Sequence, residues 1–389
     1  MSQTTSTGRP KDAPQPQPSS QAQPQPQPRP RLRQAGWTAR PLRLEAGPIG
    51  VSARPRVVAA VLALAAVVFA GLVASVSLGQ FAIPAGDVVR SLFGGGPEQA
   101  DLIVHQLRLP RALTAVLVGL AFGLAGAVFQ AVTRNPLASP DLIGISAGAS
   151  VGGVGVVLLA GVTAAGAGSY AAVPFGALVG ALAAAAVIYL MAYRGGAITG
   201  YRFVVVGLAM QGALTALNRW MLARADIDQA GRAMVWLTGS LNGRGYEHVR
   251  WVGLALLVLV PLTLALIRPY QLLQYDDDTA LGLGMPIRRA RIALLTLGVA
   301  LAAAATAAAG PISFVALASA QIARRITGTG PIPLVTSGLV GAALLLVADL
   351  AGRLLFAPIE LPVGIVTGVI GAPYLMWLLA RANRAGKGG

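Results

Sequence analysis

The chain of 389 residues contains no cysteine, so it can build neither a disulfide framework nor a thiolate metal site. Its two histidines, His105 and His248, lie in separate polar stretches, which argues against a histidine zinc centre. Charge is also scarce: 11% of residues are charged and only 14 are acidic, against roughly a quarter charged in a soluble domain. That balance excludes an ordinary globular enzyme. No glycine-rich loop closing on Lys-Ser or Lys-Thr occurs, so the chain carries no phosphate cradle for ATP.

What is present is apolar and comes in blocks. Hydrophobic residues make up 55% and mean hydropathy is +0.67. Runs such as VVAAVLALAAVVFAGLVASVSLG from Val57 and VGLALLVLVPLTLALI from Val252 approach the roughly 20 residues that cross a bilayer as a helix. The pattern predicts an all-α polytopic membrane protein. Residues 1–56 differ: PQPQPSSQAQPQPQPRPRLR offers almost no apolar surface to offset ordering entropy and reads as a disordered Pro/Gln/Arg-rich cytoplasmic tail. The first apolar block is long and starts at Val57, so it reads as a retained span rather than a signal peptide.

Ten spans are expected, at about 57–79, 112–132, 142–162, 171–192, 203–222, 249–267, 292–309, a short one at 314–327, 334–355 and 362–380. Together they form a membrane domain over 57–384. With a cytoplasmic amino terminus, 21 of the 30 Lys and Arg residues fall on the inner side. This is the inside-positive bias, and it places both termini in the cytoplasm. The formal charge of +16 then needs no nucleic-acid partner. Small residues recur within the spans, as in GLAFGLAG from Gly119 and GLVGAALLLVADLAG from Gly338, where they permit close helix packing.

One charged stretch stands out. Residues 274–292 read QYDDDTALGLGMPIRRARI, with Asp276, Asp277 and Asp278 adjacent in a chain otherwise poor in acid. The charge count puts this loop, 268–291, on the inner face. Acids followed by Gly282 and Gly284 fit the cap and dipole pattern of one short helix. That helix could be a docking element for a soluble partner, or a polar connector held by its own Asp–Arg pairs.

Five motifs in order, LRLPRALTAVLVGLAFGLAGAVFQAVTRNPLASPDLIGISAGAS, MVWLTGSLNG, DDDTALGLGM, GPISFVALASAQIARRITG and LVADLAGRLLFAPIELPVGIVTGVIGAPYLMWLLAR, resemble the permease subunits of ABC importers for iron-siderophores and vitamin B12. The resemblance runs from about residue 57 to 384. It implies the type II ABC importer permease architecture in the bilayer of a bacterial cytoplasmic membrane. It also implies a second permease subunit, two cytoplasmic ATPase subunits and an extracytoplasmic substrate-binding protein. The chain would be no enzyme and would bind no cofactor itself, with ATP and Mg on the ATPase.

Carried over by position, the resemblance makes Asp277, Asp278, Ala280, Leu283 and Gly284 the ATPase-coupling residues; Asp276 stands where relatives usually have glycine. Arg108, Arg111 and Arg353 become the docking points for the binding protein. Read without the resemblance, the first two are interfacial side chains and Arg353 pairs with Asp349 one turn away. The cytoplasmic gate would comprise Asn135 and Leu137 in TRNPLASP, with Thr199, Gly200 and Tyr201 in ITGYR. Asn135-Pro136 also reads simply as a turn. Ser313, Ala316 and Gln321 are similar to the catecholate-siderophore variants, which favours a ferric siderophore over cobalamin as cargo. An ion-coupled secondary transporter is the rival class; the single carboxylate within a span, Asp349, beside an arginine, weighs against it.

Overall fold

A computed structural model describes residues 42–46, 49–53, 55–79, 81, 83–159, 169–194, 197–198 and 200–386. A short antiparallel hairpin, β1 (Leu42–Ala46) with β2 (Ile49–Ala53), precedes the first helix. Most of the segment expected to lack order lies outside the described residues; this hairpin, where Leu42 and Leu44 alternate with Arg43 and Glu45, is a difference from that expectation.

The helices follow in chain order. They are α1 (Pro55–Ser77), α2 (Ala85–Leu92), α3 (Glu98–Leu102), α4 (Leu109–Thr133), α5 (Ile145–Leu159), α6 (Ser169–Ala192), α7 (Gly200–Ala223) and α8 (Ile227–Leu237). After them come α9 (Tyr246–Ala265), α10 (Ile267–Leu272), α11 (Asp277–Gly282), α12 (Ile287–Ala309), α13 (Val315–Thr327), α14 (Leu334–Leu354) and α15 (Val363–Gly386). A π-helical turn over Ile103–Arg108 fuses α3 to α4, and a two-residue hairpin, β3 (Tyr193–Arg194) with β4 (Ala197–Ile198), joins α6 to α7. Every expected span has a helix at its place. Among the described residues six helical stretches, including the continuous Glu98–Thr133, are long and apolar enough to cross a membrane.

Helix α4 is the hub. In its most apolar stretch 78% of residues are buried, against 11% in α1 at the periphery, because α1, α9, α12, α13 and α14 all pack on it. The two small-residue runs meet each other here. A Cβ on Gly119 would strike the backbone of Gly341 and Ala342, and one on Gly341 would strike Gly119, so the axes approach as closely as backbones permit. Without a hydrophobic drive between helices in lipid, that close contact is what holds α4 to α14. A second glycine seam joins α5 to α6 through Gly148, Gly152, Gly176 and Gly180.

The short eighth span is a half-helix. Its 13 residues reach roughly 20 Å, well short of a ~30 Å hydrocarbon core. An extended stretch, Gly310–Phe314, brings the chain back from the end of α12 before α13 begins. Phe314 takes φ +67°, and its N–H donates to the Asp141 carboxylate at 3.1 Å. Asp141 comes from the α4–α5 loop, whose Ala138, Ser139 and Ile143 are buried. Non-helical backbone at this depth is thus covered by protein on both sides, the condition under which a membrane tolerates it.

Candidate functional site

At one end of the bundle α11 is closed by two independent devices. Asp276 is its N-cap: Oδ2 accepts from the Thr279 N–H at 2.9 Å and Oδ1 from the Thr279 hydroxyl at 2.6 Å. These bonds hold its carboxyl below the usual carboxylate range. At the other terminus Gly284 adopts φ +74°, its N–H donates to Leu281 at 2.8 Å, and the Met285 N–H donates to Ala280 at 3.1 Å. That is a Schellman ending, with buried Ala280 and Met285 on the inner face of the turn. Asp276 is therefore what starts the helix.

The remaining residues divide into two groups. Asp277 faces the bundle, pairing with Arg134 at the end of α4 and with Arg291 at 3.1 Å. Asp278 is exposed, as are Leu281 (59%) and Leu283 (65%), with Tyr275 beside them. The short helix with its caps thus presents two acids, Asp276 and Asp278, two leucines and two glycines to solvent while being anchored from behind. Leu281 and Tyr275 were not among the sequence-derived residues; exposure of an apolar side chain cannot be read without the fold. The loop also carries α10, so two helices stand where one was expected.

Both segments expected to form a gate lie at this same end. Asn135 Oδ1 accepts from the Leu137 N–H at 2.9 Å, an Asx turn following Arg134 at φ +51°. Gly200 opens α7 and Tyr201 is 81% exposed; Thr199 lies outside the described residues. The β3–β4 hairpin is tied to the start of α12, where Arg288 donates to the Tyr193 hydroxyl at 2.9 Å and lies over its ring.

At the opposite end the arginines have internal partners. Arg108 is buried and donates to the carbonyls of Val76 and Ser77, each at 3.0 Å, and of Phe81 at 2.5 Å, covering the C-terminus of α1. Arg111 forks onto Asp349 Oδ1 at 3.1 and 3.0 Å and reaches Glu360 at 2.8 Å. Arg353 sits 3.2 Å from Asp349 Oδ2, an ion pair by distance though off the line of a hydrogen bond. It donates to the Ser75 hydroxyl at 2.6 Å. The local Arg353–Asp349 pair expected from the sequence is there; the Arg111–Asp349 fork is not a local contact and was not foreseen. All three arginines border a cavity of about 290 Å³ with Arg244 and Glu360, and burial pushes Arg244 down to about 10.

Of the three positions likened to catecholate-siderophore variants, Ala316 and Gln321 are buried and Ser313 is half-buried. Gln321 is fully buried, its amide donating to Gln130 of α4, which in turn donates to the Leu317 carbonyl at 3.0 Å. Ala316 lies against Gly126, where a Cβ would collide with its backbone. These residues lock α13 onto α4 within the protomer. Sequence reasoning also passed over Asp141, an acid directly before the expected span at 142–162.

The fold overlays with a TM-score of 0.71 on a solved metal-chelate type ABC transporter in an inward-facing conformation, 24% identical, over 83% of this chain and 99% of that one. At that identity the likeness speaks for the fold alone, which is that of a metal-chelate type ABC transporter. Residues 58–381 match the model of the FecCD transport family, and the chain belongs to that family. It is 38% identical over 306 residues to the ferric enterobactin transport system permease protein FepG of Escherichia coli (strain K12), covering 79% of this chain and 91% of the relative. To the achromobactin transport system permease protein CbrC of Dickeya dadantii (strain 3937) it is 39% identical over 315 residues, covering 81% and 89%. The probable siderophore transport system permease protein YfhA of Bacillus subtilis (strain 168) is 36% identical over 326 residues, covering 83% and 95%.

Proposed function

We propose that this chain is the membrane-spanning permease subunit of an ATP-driven importer that carries a ferric siderophore across the cytoplasmic membrane. The observation that carries this reading is the family match over 58–381, joined to near full-length likeness to permeases named for ferric enterobactin and achromobactin. The fold supports it with a half-helix and a capped helix at one end, arranged as a pathway element and a lever.

The lever is α11. Asp278, Leu281 and Leu283 face outward with glycines that permit close approach, which suits a cleft on a separate ATPase subunit that binds ATP and Mg. Asp277 transmits load through Arg134 and Arg291 to α4 and α12. The loops at Asn135–Leu137 and Thr199–Tyr201 form the inner gate beside it. With α11 on the cytoplasmic side, both termini are cytoplasmic and the arginine-rich cavity faces outward. There an extracytoplasmic binding protein docks through acidic side chains at the surface formed by Arg108, Arg111 and Arg353, of which Arg111, its side chain 12% exposed, is the least buried. A second permease subunit completes the pathway.

Uptake of radioactive iron by a deletion strain tests the cargo, with a panel of ferric siderophores and labelled cobalamin in parallel. Loss of ferric siderophore uptake, restored by the gene, is the expected result. Loss of cobalamin uptake alone contradicts the cargo assignment, and no dependence of either contradicts the class.

A further inference from the structure

The segment between α9 and α12 does more than display α11. Two side chains upstream of the cap, four residues apart, grip a single residue of a different loop. The Tyr270 hydroxyl donates to the Ile332 carbonyl at 2.9 Å. Gln274 accepts from the Ile332 N–H at 2.5 Å through Oε1 and donates to the Ile332 carbonyl at 3.4 Å through Nε2. Both backbone groups of Ile332 are therefore held by the segment that leads into α11. Tyr270 is fully buried, and burial pushes its hydroxyl up, so it remains a neutral donor.

Ile332 belongs to the short link between α13 and α14, and that link has little slack. Pro331 and Pro333 fix their own φ angles; the Thr329 hydroxyl donates to the Pro331 carbonyl at 2.8 Å and lies 2.8 Å from the Thr327 hydroxyl. From α13 the polar contacts continue: Arg324 donates to Gln321 at 3.3 Å, and Gln321 to Gln130 of α4. Gln130 stands one turn before Arg134, which holds Asp277. The contacts close into a ring around a cavity of about 400 Å³ bordered by Arg134, Pro136, Gln274, Gln321 and Arg324.

We infer that the α13–α14 link is a second receiver of the coupling movement, and that Tyr270 and Gln274 are the positioning residues that deliver it to the half-helix α13. This rests on the reading of α11 as the ATPase seat. A displacement of α11 loads α4 through Asp277 and, at the same moment, α13 and α14 through Ile332. Because α13 stops partway through the membrane at Asp141, a pull from its inner end moves it as a unit.

The test uses the whole complex, permease with its ATPase and binding protein, reconstituted in liposomes, and reads ferric siderophore imported per ATP hydrolysed. Gln274→Ala and Tyr270→Phe should leave ATPase co-purification and ATP hydrolysis unchanged while import per ATP falls about three- to tenfold. Tyr270→Phe keeps the ring and its packing, so its loss is not a folding defect. Since the chain has no cysteine, a Gln274→Cys/Ile332→Cys pair can be bridged by a short thiol cross-linker without background. The bridge should restore import per ATP, and reducing it should remove the gain. Wild-type import per ATP in both single variants, or import blocked by the bridge, overturns the inference. Failure of the unaltered chain to co-purify with the ATPase would instead overturn the parent reading.

Discussion

At one end of the bundle the Asp349 side chain, 1% exposed, lies between Arg111 and Arg353; at the end that carries α11 Asp278 is exposed, one residue from an acid that is itself half exposed. Both ends are rich in arginine, yet they use charge differently. Arg108, Arg111 and Arg353 fasten α1, α4 and α14 together, and Asp349 is consumed in doing so. Asp277 anchors α11 on one side only and leaves its other face open. Charge density alone therefore does not mark a docking surface; what marks it is charge and apolar surface left over after internal partners are counted.

The difference can be broken by removing single side chains. Asp349→Ala removes the buried carboxylate shared by Arg111 and Arg353, leaving only Glu360 and Ser75 as their side-chain partners, and should cost about 3–5 kcal/mol, read as a lower melting temperature in detergent. Arg108→Ala removes the donors that cover the α1 terminus and should cost about 2–3 kcal/mol in the same assay. Asp277→Ala cuts an ion pair whose acid is 47% exposed, so its cost in stability should stay below about 1 kcal/mol, while uptake falls because the anchor of the lever is gone. The smallest effect belongs to Asp276. Its native carboxyl titrates below the free value, so the cap is intact above the free-carboxylate pKa of about 3.9 and is lost as the pH falls through the lower native value. ATPase binding measured between pH 7 and pH 5 should accordingly be flat at this site, and Asp276→Asn, which keeps the cap acceptor, should bind as the unaltered chain does.

Much of the fold was legible because bilayer thickness sets helix length: every span surfaced as an apolar block, and the eighth announced itself by being too short. The short helices α2 and α8 were not, since short amphipathic segments resemble loops when only long apolar runs are sought. The cap and Schellman residues of α11 were readable because they are local. Arg111–Asp349, 238 residues apart, and Gln130–Gln321, 191 apart, were not, because nothing in the sequence says which helices touch. The glycine runs from Gly119 and Gly338 revealed that close packing occurs but not that they pack on each other.

The most direct measurement concerns the open face of α11. Leu281→Glu/Leu283→Glu in a chain that retains Asp349 and its arginines should leave the melting temperature and membrane insertion unchanged, yet abolish co-purification with the ATPase and siderophore-dependent iron uptake. Full ATPase binding and uptake by that double variant would contradict the assignment of α11 as the seat of the ATPase.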